Sequence, residues 1–201
     1  MVIRLSDETP LHRDNFAKLV DEVFYYNTTF HRVISNFMIQ GGDPNSKDDD
    51  PMNDGFGGPG YTIPGEFNPL LIHKKGAIAA ARMGGPANPE RESSGSQFYV
   101  VHGSVFDSQQ LMSIEQSMQQ KFGDDFRFSA EALQAYSTTG GTPHLDMDYT
   151  VFGEIVEGLD VLDQIANTDT PQRLGQPSQT PERPTTDIPM TVRRLSNYSP
   201  Q

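Results

Sequence analysis

The sequence predicts a mainly β chain: a closed antiparallel barrel capped by two helices, with an inserted helical hairpin. Three observations carry this. Short runs rich in β-branched and aromatic residues recur along the chain, few stretches show helical periodicity, and the connections between them are rich in Gly and Pro. At 201 residues the chain is long enough to bury a sizeable core, and a single domain over 1–201 is expected.

The elements follow in order. Met1–Leu5 reads as a short strand. Thr9 and Pro10 offer a cap and a first-turn proline, and Leu11, Phe16, Leu19, Val20, Val23 and Phe24 recur at helical steps, which predicts a helix over 10–24. Residues 29–34 and 37–40 read as two strands. With period two, Phe37 and Ile39 share one face, and Met38 and Gln40 the other. Residues 41–60 hold six glycines and the acidic run Asp48-Asp49-Asp50, so they form a loop.

Three further strands are expected at 76–81, 97–101 and 150–156, with a polar connection between Arg82 and Gly95. The insertion spans about 104–141. Asp107 or Ser108 caps a helix whose stripe is Leu111, Ile114, Met118 and Phe122, and Ser129 starts a second helix through Tyr136, ending at Gly140-Gly141. It reads as a decoration packed on the barrel or, more sharply, as an arm that grips substrate or a partner. Leu159, Leu162 and Ile165 predict a helix over 158–166. Residues 167–187 read as an exposed Pro-rich tether, and 188–195 as a closing edge strand.

Composition excludes several functions. A formal net charge of −12 argues against a nucleic-acid partner, which needs clustered Lys and Arg. No cysteine is present, so a thiol nucleophile, a disulfide and a cysteine zinc site are excluded. His12, His31, His73, His102 and His144 are scattered without ligand spacing, so no metal site and no cofactor are expected; His31 reads as a hydrogen-bonded core residue. No apolar run reaches the ~18 residues of a membrane span. The chain as given reads as cytoplasmic and monomeric.

The most informative run is Phe30-His31-Arg32-Val33-Ile34-Ser35-Asn36-Phe37-Met38-Ile39-Gln40-Gly41-Gly42-Asp43. It sets a permanent cation and an amide beside apolar side chains, a surface for a neutral ligand that presents a carbonyl oxygen. This run resembles the central motif of the cyclophilin-type peptidyl-prolyl isomerases. Ser94-Gly95-Ser96-Gln97-Phe98-Tyr99-Val100 resembles that family's GSQF strand, and Tyr149–Gly158 its VFG strand and following helix. The resemblance covers about 2–166 and the terminal strand near 188–195, and places the helical hairpin with some bacterial relatives.

The resemblance implies a chain that accelerates X–Pro amide rotation in unfolded or flexible polypeptides. Arg32 and Gln40 take the catalytic positions, the arginine bonding the proline carbonyl and the amide orienting it. Phe37, Met38, Tyr99 and Leu145 match the proline pocket, Ala81 and Arg82 the main-chain peptide contacts, and Gln97 the groove wall. Tyr99 replaces a usual phenylalanine, which adds a hydroxyl at the pocket rim. His144 stands where eukaryotic members often have tryptophan, and Tyr149 where they have histidine; loss of the tryptophan implies weak inhibition by cyclosporin. In relatives a strand precedes Met1–Leu5, so the first barrel strand is expected to be missing here. A late start of this kind would leave a periplasmic location open. Two other readings are carried: a non-catalytic module that binds proline-containing segments, and a holdase built on the insertion, for which deletion of 105–139 would spare isomerisation.

Overall fold

A computed structural model of the chain describes residues 1–196; the last residues of the 1–201 domain expectation lie outside the described residues. Among these, ten strands and four helices alternate along the chain. The main sheet is antiparallel and six-stranded, in the order β1 (Val2–Leu5), β9 (Val151–Glu157), β6 (Ala77–Ala80), β8 (Phe98–Val101), β4 (Met38–Gly41), β3 (Arg32–Ile34). Two short pairs accompany it: β2 (Thr28–Thr29) with β10 (Pro189–Met190), and β5 (Thr62–Ile63) with β7 (Ser93–Ser94). The expected strands of the main sheet are present within a residue or two at each end, except that the run 29–34 is divided: Thr28–Thr29 pairs with β10 and the main-sheet strand starts only at Arg32. Strands β5 and β7 are too short to leave a period in the sequence. The closing strand is also shorter than expected: pairing stops at Met190, and 191–195 form no strand.

Both faces of the main sheet are buried, which is why its central strands read as continuous apolar runs rather than alternating ones. Alternation is still present, between two clusters. Val33, Ile39, Ile78, Ala80, Phe98 and Val100 join the main core. There they meet Phe16, Leu19 and Val20 of α1 (Pro10–Asp21) and Leu162 and Ala166 of α4 (Leu159–Ala166). Met38, Ala77, Ala79, Tyr99, Val101 and Val151 point the other way into a second cluster with Phe37, Leu71, Leu145 and Tyr149. That second face carries the candidate site.

The insertion forms the expected hairpin. Asp107 caps α2 (Ser108–Phe122) in a reciprocal box: its carboxylate accepts from the Gln110 N–H at 2.8 Å, and the Gln110 side chain accepts from the Asp107 N–H at 2.9 Å. Ser129 caps α3 (Ala130–Thr138). A third core of Leu111, Met118, Phe128, Ala132 and Tyr136 joins the two helices.

Two loops are more ordered than their composition suggested. After β4 the chain turns at Gly42, whose φ is +85°; a Cβ there would lie 2.4 Å from the Ser96 carbonyl oxygen. The buried Asp43 carboxylate then gathers the backbone N–H groups of Asn45, Gly55 and Gly57 at 2.8, 2.5 and 3.2 Å, which folds the acidic loop back on itself. The segment 167–187 is not a free tether. It is cross-bonded within itself, Gln172 N–H to Pro181 and Thr185 N–H to Asp169, and the Glu182 carbonyl accepts from the Val33 N–H at 2.7 Å on the edge of β3. No helix among the described residues is long and apolar enough to cross a membrane.

Candidate active site

The register of β3 and β4 builds the polar half of the site. Arg32 lies opposite Gln40, and Gln40 opposite Tyr99 on β8, so cation, amide and ring lie side by side on the second face. Arg32 donates through Nη1 to Gln40 Oε1 at a long 3.5 Å. Gln40 donates to Gln97 Oε1 at 3.1 Å, and Gln97 donates to the carbonyls of Gly55 and Gly57 at 2.9 and 2.8 Å. The glycine loop thereby fixes the orientation of two amides in sequence. Arg32 also donates through Nε to Glu182 Oε2 at 2.5 Å. Glu182 carried no signal in the sequence, because it lies in a stretch of low hydropathy and no periodicity.

The apolar half comes from four segments. Met38 and Tyr99 are buried floor residues. Phe37 belongs with them and not with Ile39, contrary to the period-two reading: the strand starts only at Met38, and Phe37 sits in the preceding turn, free of the pleat. Its ring stacks on His144 with centroids 6.0 Å apart and planes at 19°. His144 and Leu145 lie on a 3₁₀ turn, Pro143–Leu145, and desolvation and the neighbouring His73 hold the His144 pKa below its ordinary value. Tyr149 meets Tyr99 edge to face at 5.8 Å and carries the Arg82 guanidinium 4.5 Å from its ring centroid.

Three expectations are corrected here. The Tyr99 hydroxyl is not at the pocket rim; it points inward and pairs with Nε2 of the fully buried His73 at 3.0 Å. Burial raises its pKa well above that of a free phenol. The Ala81 main chain is not available to a peptide, since its N–H donates to the Gln97 carbonyl and its own carbonyl accepts from Ser94. The Arg82 main chain makes no hydrogen bond with another described residue. His31 is buried as expected, but neither ring nitrogen finds a hydrogen-bond partner, and desolvation lowers its pKa to about 4.

Behind Tyr99 runs a buried network the sequence did not reveal. His73 Nδ1 lies 2.8 Å from Asp146 Oδ1, the His73 N–H donates to that same oxygen at 2.8 Å, and the Tyr136 hydroxyl donates to Asp146 Oδ2 at 2.6 Å. Tyr136 is on α3 of the insertion. The inserted hairpin is thus bonded through two side chains to the pocket floor. It is not merely laid against the sheet.

The geometry describes an apolar cluster bordered by one cation and two oriented amides. Comparison with known proteins agrees with that reading. Residues 1–193 match the family model described as cyclophilin type peptidyl-prolyl cis-trans isomerase. A Staphylococcus saprophyticus protein, provisionally named a peptidyl-prolyl cis-trans isomerase, is 36% identical over 167 residues, covering 82% of this chain and 74% of its own. A protein of the same provisional name from Staphylococcus haemolyticus is 36% identical over 165 residues, covering 81% and 72%. The fold is similar to the crystal structure of a Cryptosporidium parvum cyclophilin type isomerase, determined in the presence of the dipeptide Ala-Pro. That match has a TM-score of 0.64 and 23% identity and covers 97% of this chain and 92% of that one. With the match running through every strand of the main sheet, the chain belongs to the family of cyclophilin-type peptidyl-prolyl cis-trans isomerases.

Proposed function

We propose that this chain catalyses cis–trans rotation about X–Pro bonds in unfolded or flexible polypeptides, with Arg32 and Gln40 as its catalytic residues. The observation that carries this is the Arg32–Gln40–Gln97 row standing beside the Phe37, Met38, Tyr99, Leu145 and Tyr149 cluster. Amide rotation faces a barrier of about 18–20 kcal/mol, because the nitrogen lone pair is shared with the carbonyl. Twisting localises that lone pair and reduces charge separation, so an apolar pocket favours the twisted amide over water. No covalent step is needed; the site has only to bind the twisted form better than either planar one.

Arg32 supplies a planar, permanently charged donor for the proline carbonyl and ring nitrogen. A charged hydrogen bond contributes about 1.5–3 kcal/mol, whereas a ~10⁵-fold acceleration takes about 7 kcal/mol. Pocket shape and desolvation must therefore provide the larger part. Met38 and Tyr99 at the floor, with Phe37 held against His144, are the groups that do so, and Gln97 and the free Arg82 main chain hold the flanking peptide.

The reading extends to the scaffold. A closed barrel is favoured over an open sheet because both ends of the main sheet, Ile3 and Leu5 of β1 and Val33 of β3, pack into one core together with Met190 of β10. One domain accounts for all three cores.

Exchange spectroscopy on a short Ala-Pro-Phe peptide tests the function. Substoichiometric protein is expected to broaden and exchange the cis and trans signals. A folded protein that shifts the peptide signals yet leaves exchange at the uncatalysed rate would support the non-catalytic binding module.

A further inference from the structure

Beside the Tyr149 wall of the pocket, three cations converge on one carboxylate. Asp148 is buried; its Oδ1 accepts from Arg82 Nη2 at 2.8 Å, and its Oδ2 lies 2.6 Å from Lys121 Nζ. Arg91 Nη1 stands 3.8 Å from Asp148 Oδ1. Three positive charges against one negative leave a local excess of two in a chain whose formal net charge is −12.

Arg82 alone would neutralise Asp148. It does so in full, with its Nε also donating to the Asp148 carbonyl at 3.1 Å and its side chain only 9% exposed. The two surplus cations are the accessible ones: the Lys121 side chain is 50% exposed and that of Arg91 37%. Both are built in. Lys121 lies in the last turn of helix α2 of the insertion, and its ammonium lies 5.2 Å from the Phe122 ring. The Arg91 guanidinium lies 4.3 Å over Phe67 and donates to the Met147 carbonyl at 3.0 Å. Arg91 and Met147 both hold left-handed backbones, with φ of +55° and +61°, an arrangement that costs free energy. The nearby acids make no direct contact with these cations: Glu92 accepts from the Thr62 hydroxyl, and among the described residues Glu90, Glu92, Asp124 and Asp125 form no ion pair with Arg82, Arg91 or Lys121.

We propose that Lys121 and Arg91 form a subsite for a carboxylate side chain, Asp or Glu, carried by the substrate within a few residues of its proline. This rests on the isomerase reading and names its substrate class: acidic segments of polypeptide. The Arg82 guanidinium lies on the Tyr149 ring, so the cluster begins one ring thickness from the pocket. A chain leaving the pocket advances up to ~3.3–3.6 Å per residue, which brings the side chain of a neighbouring residue to the two exposed cations. It also assigns the insertion a task, since Lys121 belongs to it.

The test is exchange spectroscopy on a host peptide with a single proline, in which Glu, Gln or Lys is walked through the neighbouring positions on either side. At one position the Glu peptide is expected to exchange about three- to tenfold faster than its Gln counterpart, the range two partly exposed ion pairs can provide, with Lys slowest. That ratio is expected to shrink between about 0.01 M and about 1 M salt, where the screening length falls from ~30 to ~3 Å. In the double variant Lys121→Gln, Arg91→Gln, checked for folding by its thermal transition, the ratio is expected to fall to near one. Equal rates for Glu and Gln at every position, with the neutral peptide still catalysed, overturn the subsite and leave the isomerase reading intact. So does a preference that survives the double variant. Failure to catalyse any peptide sinks the isomerase reading itself.

Discussion

Arg32 donates through Nε to Glu182 at 2.5 Å, and Glu182 is held there by its own main chain, whose carbonyl accepts from the next residue, Val33. The carboxylate takes the Nε edge of the guanidinium and leaves the Nη edge toward Gln40 and the pocket. A segment that composition alone assigns to a tether thus sets the direction in which Arg32 points. The Glu182→Ala variant is expected to lower kcat/KM about three- to tenfold, mainly in kcat, since misplacing a catalytic group costs rate before affinity. Glu182→Gln, which keeps an acceptor, should lie between. Faster exchange in either variant would mean that Glu182 competes with substrate for Arg32.

The Tyr136–Asp146–His73–Tyr99 network predicts that the insertion is not separable from the pocket. Tyr136→Phe leaves one buried carboxylate oxygen without its donor, at about 1–3 kcal/mol. For a chain of this size that corresponds to a fall in Tm of about 2–4 °C per kcal/mol. A raised KM should accompany it, because Asp146, which orients the His73 that anchors the floor ring Tyr99, loses one of its donors. Deletion of 105–139 removes Tyr136 and Lys121 together and is expected to impair isomerisation; full activity in that deletion would separate insertion from site.

Acid should destabilise the fold through His31. Its pKa is about 4 in the folded chain against an ordinary 6.5, so the unfolded chain takes up the proton first. The contribution is intact above pH ~6.5 and is lost as pH falls toward ~4, by up to about 3 kcal/mol. His12, His102 and His144, also lowered by burial, act in the same direction. Asp54 opposes them: burial pushes its carboxyl up to about 6, so its contribution is present at low pH and lost as pH rises from ~4 to ~6. Denaturant titrations between pH 4 and 7 should show stability falling with acidity in the wild type and a flatter profile in His31→Leu. An equally steep profile in that variant would remove His31 as the cause.

His144 stacks on Phe37, at the position where the resemblance implies an indole in eukaryotic members of the family. Weak binding of cyclosporin is expected for the wild type, and roughly tenfold tighter binding for His144→Trp, from the larger apolar contact and the indole donor. Calorimetric titration checks both; nanomolar affinity in the wild type contradicts this account.

Most of the sheet and all four helices were legible in the sequence, because two-sided burial leaves long apolar runs and the first-turn Pro10 and the caps at Asp107 and Ser129 are local signals; the expected Thr9 cap fails, since its side chain makes no capping hydrogen bond. Several residues of the candidate site stand inside three short motifs, 30–43, 94–100 and 149–158, each of which is a local signal. What escaped were partners joined only by tertiary contact. Glu182 lies 150 residues from Arg32, and His73 lies 73 from Asp146. The Tyr99 hydroxyl was placed at the rim because residue type fixes what a side chain can bond, not the side on which a partner waits. Phe37 was put on the wrong face because alternation was extended one residue beyond the start of its strand.

The most direct test of the central claim compares wild type with Arg32→Ala, and with Arg32→Lys, by exchange spectroscopy on one Ala-Pro-Phe peptide, each protein shown to be folded by its thermal transition. A loss of about 10- to 1000-fold is expected in Arg32→Ala, with only partial recovery in Arg32→Lys, whose point charge lacks the planar donor pair. An unchanged rate in folded Arg32→Ala would contradict it, and would leave the apolar pocket to act without its cation.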